Sequence, residues 1–169
     1  AYEIVDCDWS SDVCSSDLNI RLSKLFTKLA ETQSRIMWAE SAKSFSFEQA
    51  MYPEQLSQQI KGLLKIGNAI TYEQYSNDLI VAEQARQAID QLLTQSCDIL
   101  IAPSAIGEAP SGITQTGDPI FCRIWTLLGL PCINLPLSRG SNGLPVGIQL
   151  VGARGKDRLL LSVAHALMS

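Results

Sequence analysis

Few side chains of this sequence could act together as a nucleophile and a base. The sequence contains a single histidine, His165, on a predicted C-terminal helix with no Ser or Asp of obvious role nearby. A general base needs a partner within hydrogen-bonding reach, so we predict a surface or packing histidine. The thiol of Cys122 has no histidine partner that would activate it, and a buried thiol is the better interpretation.

Two other patterns resemble functional motifs only in part. Residues 152–157, GARGKD, resemble a phosphate-binding loop but lack its spacing and the Ser or Thr that follows the lysine. A turn before a capped helix is the simpler interpretation. Cys97, Cys122 and Cys132 are scattered in apolar surroundings and form no C-x-x-C pair. We therefore expect buried free thiols and neither a zinc site nor a disulfide framework.

The elements that must position these side chains begin with helices. Residues 21–45 have helical spacing and predict one long helix or two end to end. Pro53 suits the first turn of a second helix, over residues 54–66. Thr71, with Gln74 three residues later, predicts a capping box for a third helix that runs to about Thr94. We expect a buried stripe on this third helix, formed by Tyr75, Leu79, Ala82, Ala85, Ile89 and Leu92. Lys65, Glu83, Arg86 and Asp90 are interpreted as solvated surface.

After Cys97 the pattern changes from helical to strand-like. Residues 98–102, DILIA, predict a strand buried on both faces. Residues 132–135 and 146–151 predict two further strands, adjacent and antiparallel, in the same sheet. Asn142-Gly143 between them is a hairpin signal. Asp157 is predicted to cap a final helix. Strands flanked by long helices predict a layered α/β fold.

Composition excludes several classes of protein. Hydrophobic residues make up 46% of the chain and charged residues 18%, as in ordinary globular proteins. No apolar run approaches the length of a membrane span, and no signal peptide is visible. No Lys/Arg cluster suggests nucleic acid or lipid headgroups as partners. We therefore expect a cytoplasmic protein that binds neither nucleic acid nor membrane.

The segment 8–18, DWSSDVCSSDL, has neither helical nor strand periodicity. Its eleven residues match one reading frame of a common sequencing-adapter oligonucleotide. We therefore divide the chain into residues 1–18, a non-native segment, and residues 19–169, one domain. A disordered Ser/Asp linker is the alternative interpretation of the segment. Residues 1–18 contain five acids and no Lys or Arg, so the formal net charge of −4 becomes +1 without them. The apparent acidity implies no basic partner.

The stretch 116–136, TGDPIFCRIWTLLGLPCINLP, organises the rest of the chain. Asp118 is predicted to cap its helix, with Pro119 at the first helical position and a stop at Gly129. Together with DILIAPSAIGEAP before it and GLPVGIQLVGARGKDRLL after it, the stretch resembles the C-terminal part of amidase-signature hydrolases. The resemblance runs from about Ser23 to the end and covers the last third of such an enzyme.

The resemblance implies an α/β/α fold with a mixed sheet covered by helices. It also implies an amidase that hydrolyses a carboxylic amide to an acid and ammonia or an amine, without metal or cofactor. Such enzymes use a Ser–Ser–Lys triad, in which a base activates the serine and a Gly/Ser-rich segment supplies oxyanion donors. Neither that segment nor the matching lysine is present in this sequence. The resemblance therefore places the triad upstream and implies that this fragment alone is inactive.

The resemblance also implies that the loop after Ala102 and the start of the following helix approach the catalytic serine. Asp118, Cys122 and Trp125 are therefore candidates for contact with the substrate, and packing is an equal alternative for each. The family tends to carry Asn at the Cys122 position, so an amide donor and acceptor are missing there. The implied partner is a small-molecule amide, and a homodimer is left open.

Two alternative functions remain at this stage. One is a protein similar to the A subunit of glutamine amidotransferases, which releases ammonia from glutamine. The other is a non-catalytic α/β binding module. The motif TGDPIFxRIWT is more similar to that of stand-alone amidases.

Overall fold

The computed structural model describes Ile20 and residues 22–169. The α-helices are α1 (Leu29–Ser44), α2 (Ser46–Met51), α3 (Gln58–Asn68), α4 (Tyr72–Gln95), α5 (Ile120–Leu128) and α6 (Asp157–Met168), and the strands are β1 (Ile99–Pro103), β2 (Cys132–Arg139) and β3 (Pro145–Gly152). The predicted α/β fold class is confirmed. The predictions for residues 1–18 lie outside the described residues. No helix in the described part of the chain is long and apolar enough to span a bilayer.

Local capping signals set the starts of two helices. The hydroxyl of Thr71 accepts the Gln74 N–H at 3.2 Å, and the Gln74 side chain accepts the Thr71 N–H at 3.0 Å. The predicted capping box of α4 is therefore confirmed. The prediction for Pro53 is wrong, because Pro53 starts only the 3₁₀ turn Pro53–Gln55. Helix α3 begins after Ser57, whose Oγ accepts a backbone N–H of the first turn at 3.3 Å.

The predictions that Asp118 caps α5 and that Asp157 caps α6 are wrong. Helix α5 has Pro119 at its N-cap and α6 has Lys156, and neither has a side-chain cap. Asp157 is instead the first residue of α6. Both carboxylates therefore lie near a helix start without accepting its free N–H groups. The predicted stop of α5 is confirmed, since Gly129 adopts a left-handed conformation with φ of 68°.

The three strands form one antiparallel sheet in the order β1-β3-β2. The predicted adjacency of the last two strands is confirmed, and β2 extends further than expected, to Arg139, with an irregularity between Leu135 and Ser138. The parallel pair that a mixed sheet requires is not found among the described strands. The prediction that β1 is buried on both faces is wrong, because Ile101 is 54% exposed. Among the described strands, β1 lies at the edge of the sheet.

Helices cover both faces of this sheet. Side chains of successive strand residues point to opposite faces. Val151 faces a core cluster formed with α1, α4 and α5, whereas Leu150 faces a second cluster formed with α6. The first cluster contains Leu29, Ala85, Ile89, Leu100, Trp125 and Leu128, and the second contains Leu135, Leu160 and Ala164. The sheet is therefore the middle of three layers.

Helix α4 packs against both α1 and α5. Ala82, Ala85 and Ile89 of its predicted stripe are buried, whereas Leu79 is 42% exposed. Asp78 is buried beside it and accepts two hydrogen bonds from Arg35 of α1, at 2.6 and 2.7 Å.

The prediction that Arg86 is only solvated surface is wrong. Its guanidinium donates to the carbonyl oxygens of Leu128 and Leu127, at 3.3 and 3.0 Å. These are C-terminal carbonyls of α5, which lack partners within the helix. Arg86 thus fixes α5 to α4.

Candidate functional site

Polar groups from three segments meet where β1 ends and α5 begins. Gln149 of β3 is only 3% exposed. Its Nε2 donates to the carbonyl oxygen of Pro103, at 2.9 Å, and to that of Phe121, at 2.8 Å. An amide nitrogen carries two hydrogens, so both are used. Gln149 therefore ties the end of β1 and the first turn of α5 to the central strand.

Ser104 and Cys122 complete the inner side of this site. The Oγ of Ser104 donates to the carbonyl oxygen of Gly147 at 2.7 Å, and its backbone N–H donates to the same oxygen at 3.3 Å. The thiol of Cys122 lies 3.7 Å from the carbonyl oxygen of Ser104 and 3.9 Å from Oε1 of Gln149. A thiol is a weak donor, so it is held loosely between two oxygens.

Asn134 of β2 extends the site toward solvent. It is exposed and pairs in register with Gln149 on β3. A Cβ atom at Gly147 would lie 2.3 Å from Oδ1 of Asn134, so any other residue there would displace this amide. We call Ser104, Cys122, Asn134 and Gln149 the polar cluster.

Glu108 fastens the loop that carries one side of the polar cluster. Its carboxylate accepts the backbone N–H groups of Asn142, at 2.9 Å, and Leu144, at 3.0 Å, and the Asn142 side-chain amide at 2.6 Å. A Cβ atom at Gly140 would lie within 2.5 Å of the Glu108 carboxylate, so any other residue there would displace this side chain. The loop after β1 is thus bound to the β2–β3 turn.

The three predicted pocket residues lie in three different environments. Cys122 belongs to the polar cluster. Asp118 is exposed, and its carboxylate pairs with Arg123 at 3.3 Å instead of capping α5. Trp125 is 3% exposed and packs in the core cluster, and its Nε1 has no hydrogen-bond partner among the described residues. Contact of these residues with a substrate stays a prediction.

Sequence reasoning missed Gln149 and Glu108. Each contacts residues between 28 and 46 positions away, which no local pattern reveals. A polar residue within the apolar strand VGIQLVG was the available signal for Gln149.

Burial keeps two cysteines in the neutral thiol form. Burial, with a smaller contribution from Cys122, raises the pKa of Cys132 to about 11. The residue as a whole is exposed, but its thiol lies against the carbonyl oxygen of Leu130 at 3.6 Å. Burial, followed by the charge of Asp98, raises the pKa of Cys97. Neutral thiols are poor nucleophiles. Within residues 22–169, no group of three or more His, Cys, Asp or Glu side chains could hold a metal ion.

The helix-covered antiparallel sheet defines an α/β protein, and the polar cluster at the start of α5 is its candidate site. The sequence model of the Amidase family matches residues 10–161, and the chain belongs to this family. The matched range begins inside the segment 8–18, whose non-native origin stays a prediction.

Solved structures agree with the fold, and one of them also agrees with the family membership. The structure described as "Crystal structure of amidase" is 26% identical, with a TM-score of 0.75, and the match covers 85% of this chain and 35% of that one. A 6-aminohexanoate cyclic dimer hydrolase, solved with its substrate, is 18% identical with a TM-score of 0.69 over 89% of this chain and 36% of its own, and shows the fold alone.

Among curated proteins, the A subunit of the mitochondrial glutamyl-tRNA(Gln) amidotransferase of Rattus norvegicus is 29% identical over 142 residues. The match covers 73% of this chain and 27% of that protein. The chain thus spans about a third or less of the length of its relatives.

Proposed function

We propose that this chain is the C-terminal part of an enzyme that hydrolyses a carboxylic amide to an acid and ammonia or an amine. The family match over residues 10–161 carries this proposal. The likeness to a solved amidase, at a TM-score of 0.75, supports it. We further propose that the complete enzyme is cytoplasmic and acts on a small amide. It binds neither nucleic acid nor a membrane, and a homodimer is compatible with its sequence.

The proposed role of the described residues is to form one wall of the substrate pocket. Cys122 lies half-buried at the polar cluster, where its thiol offers a weak donor and an adaptable apolar surface. Asp118 is exposed at the start of α5, where its carboxylate accepts hydrogen bonds and is shared with Arg123. These groups bind and orient a substrate, and the nucleophile and base come from other residues of the complete enzyme.

The geometry of Ser104 supports the absence of a local nucleophile. Its Oγ donates to a backbone carbonyl oxygen, whereas an activated serine donates to a base such as lysine or histidine. The polar cluster contains no lysine and no histidine. We therefore propose that the chain made alone does not hydrolyse amides, because the described residues provide neither an activated nucleophile nor an oxyanion site.

A second candidate is the glutamine-hydrolysing component of an amidotransferase, supported by the 29% identity to the rat protein. The two enzymes differ in substrate: the amidotransferase component takes the side-chain amide of glutamine, and the stand-alone amidase takes other amides. The motif TGDPIFCRIWT favours the amidase. A non-catalytic binding module is the third alternative.

A chimera tests these proposals. Residues 23–169 replace the matching segment of the solved amidase that is 26% identical. Ammonia release is measured from aliphatic amides, aromatic amides and glutamine, with the chain 19–169 alone as the matched control. We expect the chimera to hydrolyse simple amides and the chain alone to give no turnover above the buffer blank. Exclusive use of glutamine would favour the amidotransferase alternative.

Two outcomes contradict the proposal. A folded chimera without turnover, shown folded by cooperative thermal unfolding, would support the binding-module alternative. Turnover by residues 19–169 alone, retained after repurification and lost on replacing Ser104 by alanine, would reveal a catalytic centre within the described residues.

A further inference from the structure

Gln149 occupies a position where the packing calls for an apolar residue. Four polar or charged residues of the described chain are buried, namely Thr32, Ser34, Asp78 and Gln149. The first three belong to α1 and α4, and only Gln149 belongs to the sheet. Its strand neighbours Leu150 and Val151 are fully buried and apolar. Burying an amide is unfavourable unless its hydrogen-bonding groups find partners, so the partners of Gln149 decide what it does.

Both amide hydrogens of Gln149 go to carbonyl oxygens of other elements. Pro103 is the last residue of β1, and Phe121 is the second residue of α5. The two donor–acceptor distances are 2.9 and 2.8 Å. Because both acceptors are oxygens, the amide can present only its nitrogen to them. The length of the glutamine side chain thus sets the spacing between the strand end and the helix start.

The orientation of the amide determines what faces Cys122. With Nε2 committed to Pro103 and Phe121, Oε1 turns toward the thiol of Cys122 at 3.9 Å. Cys122 directly follows Phe121, so the bond to the Phe121 carbonyl also fixes the backbone that carries the thiol. The second neighbour of the thiol, the carbonyl oxygen of Ser104, follows Pro103 in the same way. Gln149 therefore fixes both the backbone that carries the Cys122 thiol and the loop whose Ser104 carbonyl oxygen lies beside that thiol.

We propose that Gln149 is the positioning residue of the pocket wall: its amide sets the place of Cys122 and of the first turn of α5 relative to the loop after β1. It acts on a substrate through Cys122, and in this respect the inference rests on the proposed function. The positioning itself is a property of the folded chain and is measured without any activity.

The first arm of the test measures thiol reactivity in the full 169-residue chain. Gln149→Met keeps the length of the side chain and removes both donors. Labelling by N-ethylmaleimide is followed at each cysteine by fragment-resolved mass spectrometry. We expect Cys122 to react severalfold faster in the variant, with the Cys97 and Cys132 rates unchanged. Gln91→Met, on the exposed side of α4, is the matched control and leaves the rates at Cys97, Cys122 and Cys132 unchanged. An unchanged Cys122 rate in folded Gln149→Met overturns the inference.

A second variant keeps the inference testable if Gln149→Met does not fold. Gln149→Glu keeps the shape of the side chain but places a carboxyl group against two carbonyl oxygens. Its protonated form can donate its single O–H to one of them, whereas the ionised form repels both. Burial raises the pKa of such a carboxyl group. The ratio of the Cys122 rate in this variant to that in the original chain therefore rises with pH and returns toward one in acid. A ratio independent of pH would indicate a packing effect and contradict positioning through hydrogen bonds.

The second arm uses the chimera in a double-mutant cycle. We expect Gln149→Met to raise KM more than it lowers kcat, and to have no further effect when Cys122 is already alanine. Additive losses in the double variant contradict action through Cys122. If the chimera is inactive but Cys122 is labelled faster in Gln149→Met, as expected, the proposed function alone is refuted. If the Cys122 labelling rate is unchanged, the positioning role is refuted whatever the activity.

Discussion

At the scale of single residues, the thiol of Cys132 shows how burial sets chemistry. Its pKa of about 11 leaves about a thousandth of the thiol ionised at pH 8. We therefore predict slow alkylation of Cys132 at pH 8, although the residue is exposed. Mass-resolved iodoacetamide labelling in the native chain and in urea checks this. Equal rates in both states would contradict a covered thiol.

The same pKa has a consequence for stability. Because the folded pKa lies above the ordinary thiol value of 9.0, the unfolded chain ionises first as the pH rises. The contribution of Cys132 is complete below pH 9 and is lost as the pH rises toward about 11. Urea unfolding should show a steeper loss of stability over this range for the original chain than for Cys132→Ser.

Glu108 offers a second prediction at this scale. Glu108→Ala leaves the N–H groups of Asn142 and Leu144 without their acceptor. We expect a loss of about 1–2 kcal/mol of stability, since these charge-assisted bonds lie near the surface. Glu108→Gln should recover part of it, because one oxygen can still accept both N–H groups.

Hydrogen exchange at the Asn142 and Leu144 amides measures this effect directly. Their exchange should accelerate in Glu108→Ala and less so in Glu108→Gln. Ser111→Ala, in the exposed part of the same loop, is the matched control and should leave these amides unaffected. Unchanged exchange in Glu108→Ala would show that the turn is ordered without the carboxylate.

At the scale of elements, α5 depends on α4 for its C-terminal end. Arg86→Met removes two donors from the carbonyl oxygens of Leu127 and Leu128, while the aliphatic part of the side chain keeps its packing. We predict a loss of about 1–3 kcal/mol in the free energy of unfolding by urea. Arg86→Lys should recover only part, since an ammonium cannot reproduce the forked geometry.

Arg158→Met provides the control for this substitution. Arg158 is exposed on α6, and its replacement should change stability by less than about 0.5 kcal/mol. Equal effects at both positions would mean that the Arg86 contacts contribute nothing beyond a surface charge.

At the scale of the whole molecule, the unpaired strand edges lead to a prediction about behaviour in solution. Among the described strands, β1 and β2 each pair on one side only. Ile101 of β1 is 54% exposed, so an apolar edge is available to another chain. We predict concentration-dependent self-association that Ile101→Lys reduces without lowering the melting temperature.

Light scattering after size-exclusion chromatography measures this association. Ile106→Lys introduces the same charge at a residue that is 66% exposed but lies in the loop after β1, and it should have a smaller effect. Equal effects of both substitutions would mean that the added charge, and not the strand edge, controls the association.

The sequence alone determined the features that depend on neighbouring residues. The capping box at Thr71, the stop of α5 at Gly129 and the antiparallel pairing of β2 with β3 were predicted correctly, because caps, turns and hairpins are stabilised within a few residues. The family resemblance likewise rests on consecutive residues, and the match over residues 10–161 confirms it.

Only the tertiary structure decided which polar groups meet. The amide of Gln149 finds acceptors 46 and 28 residues away, and the carboxylate of Glu108 finds donors 34 and 36 residues away. A polar side chain in a sequence has many potential partners, and the choice among them depends on which backbone groups folding leaves unpaired and removes from water.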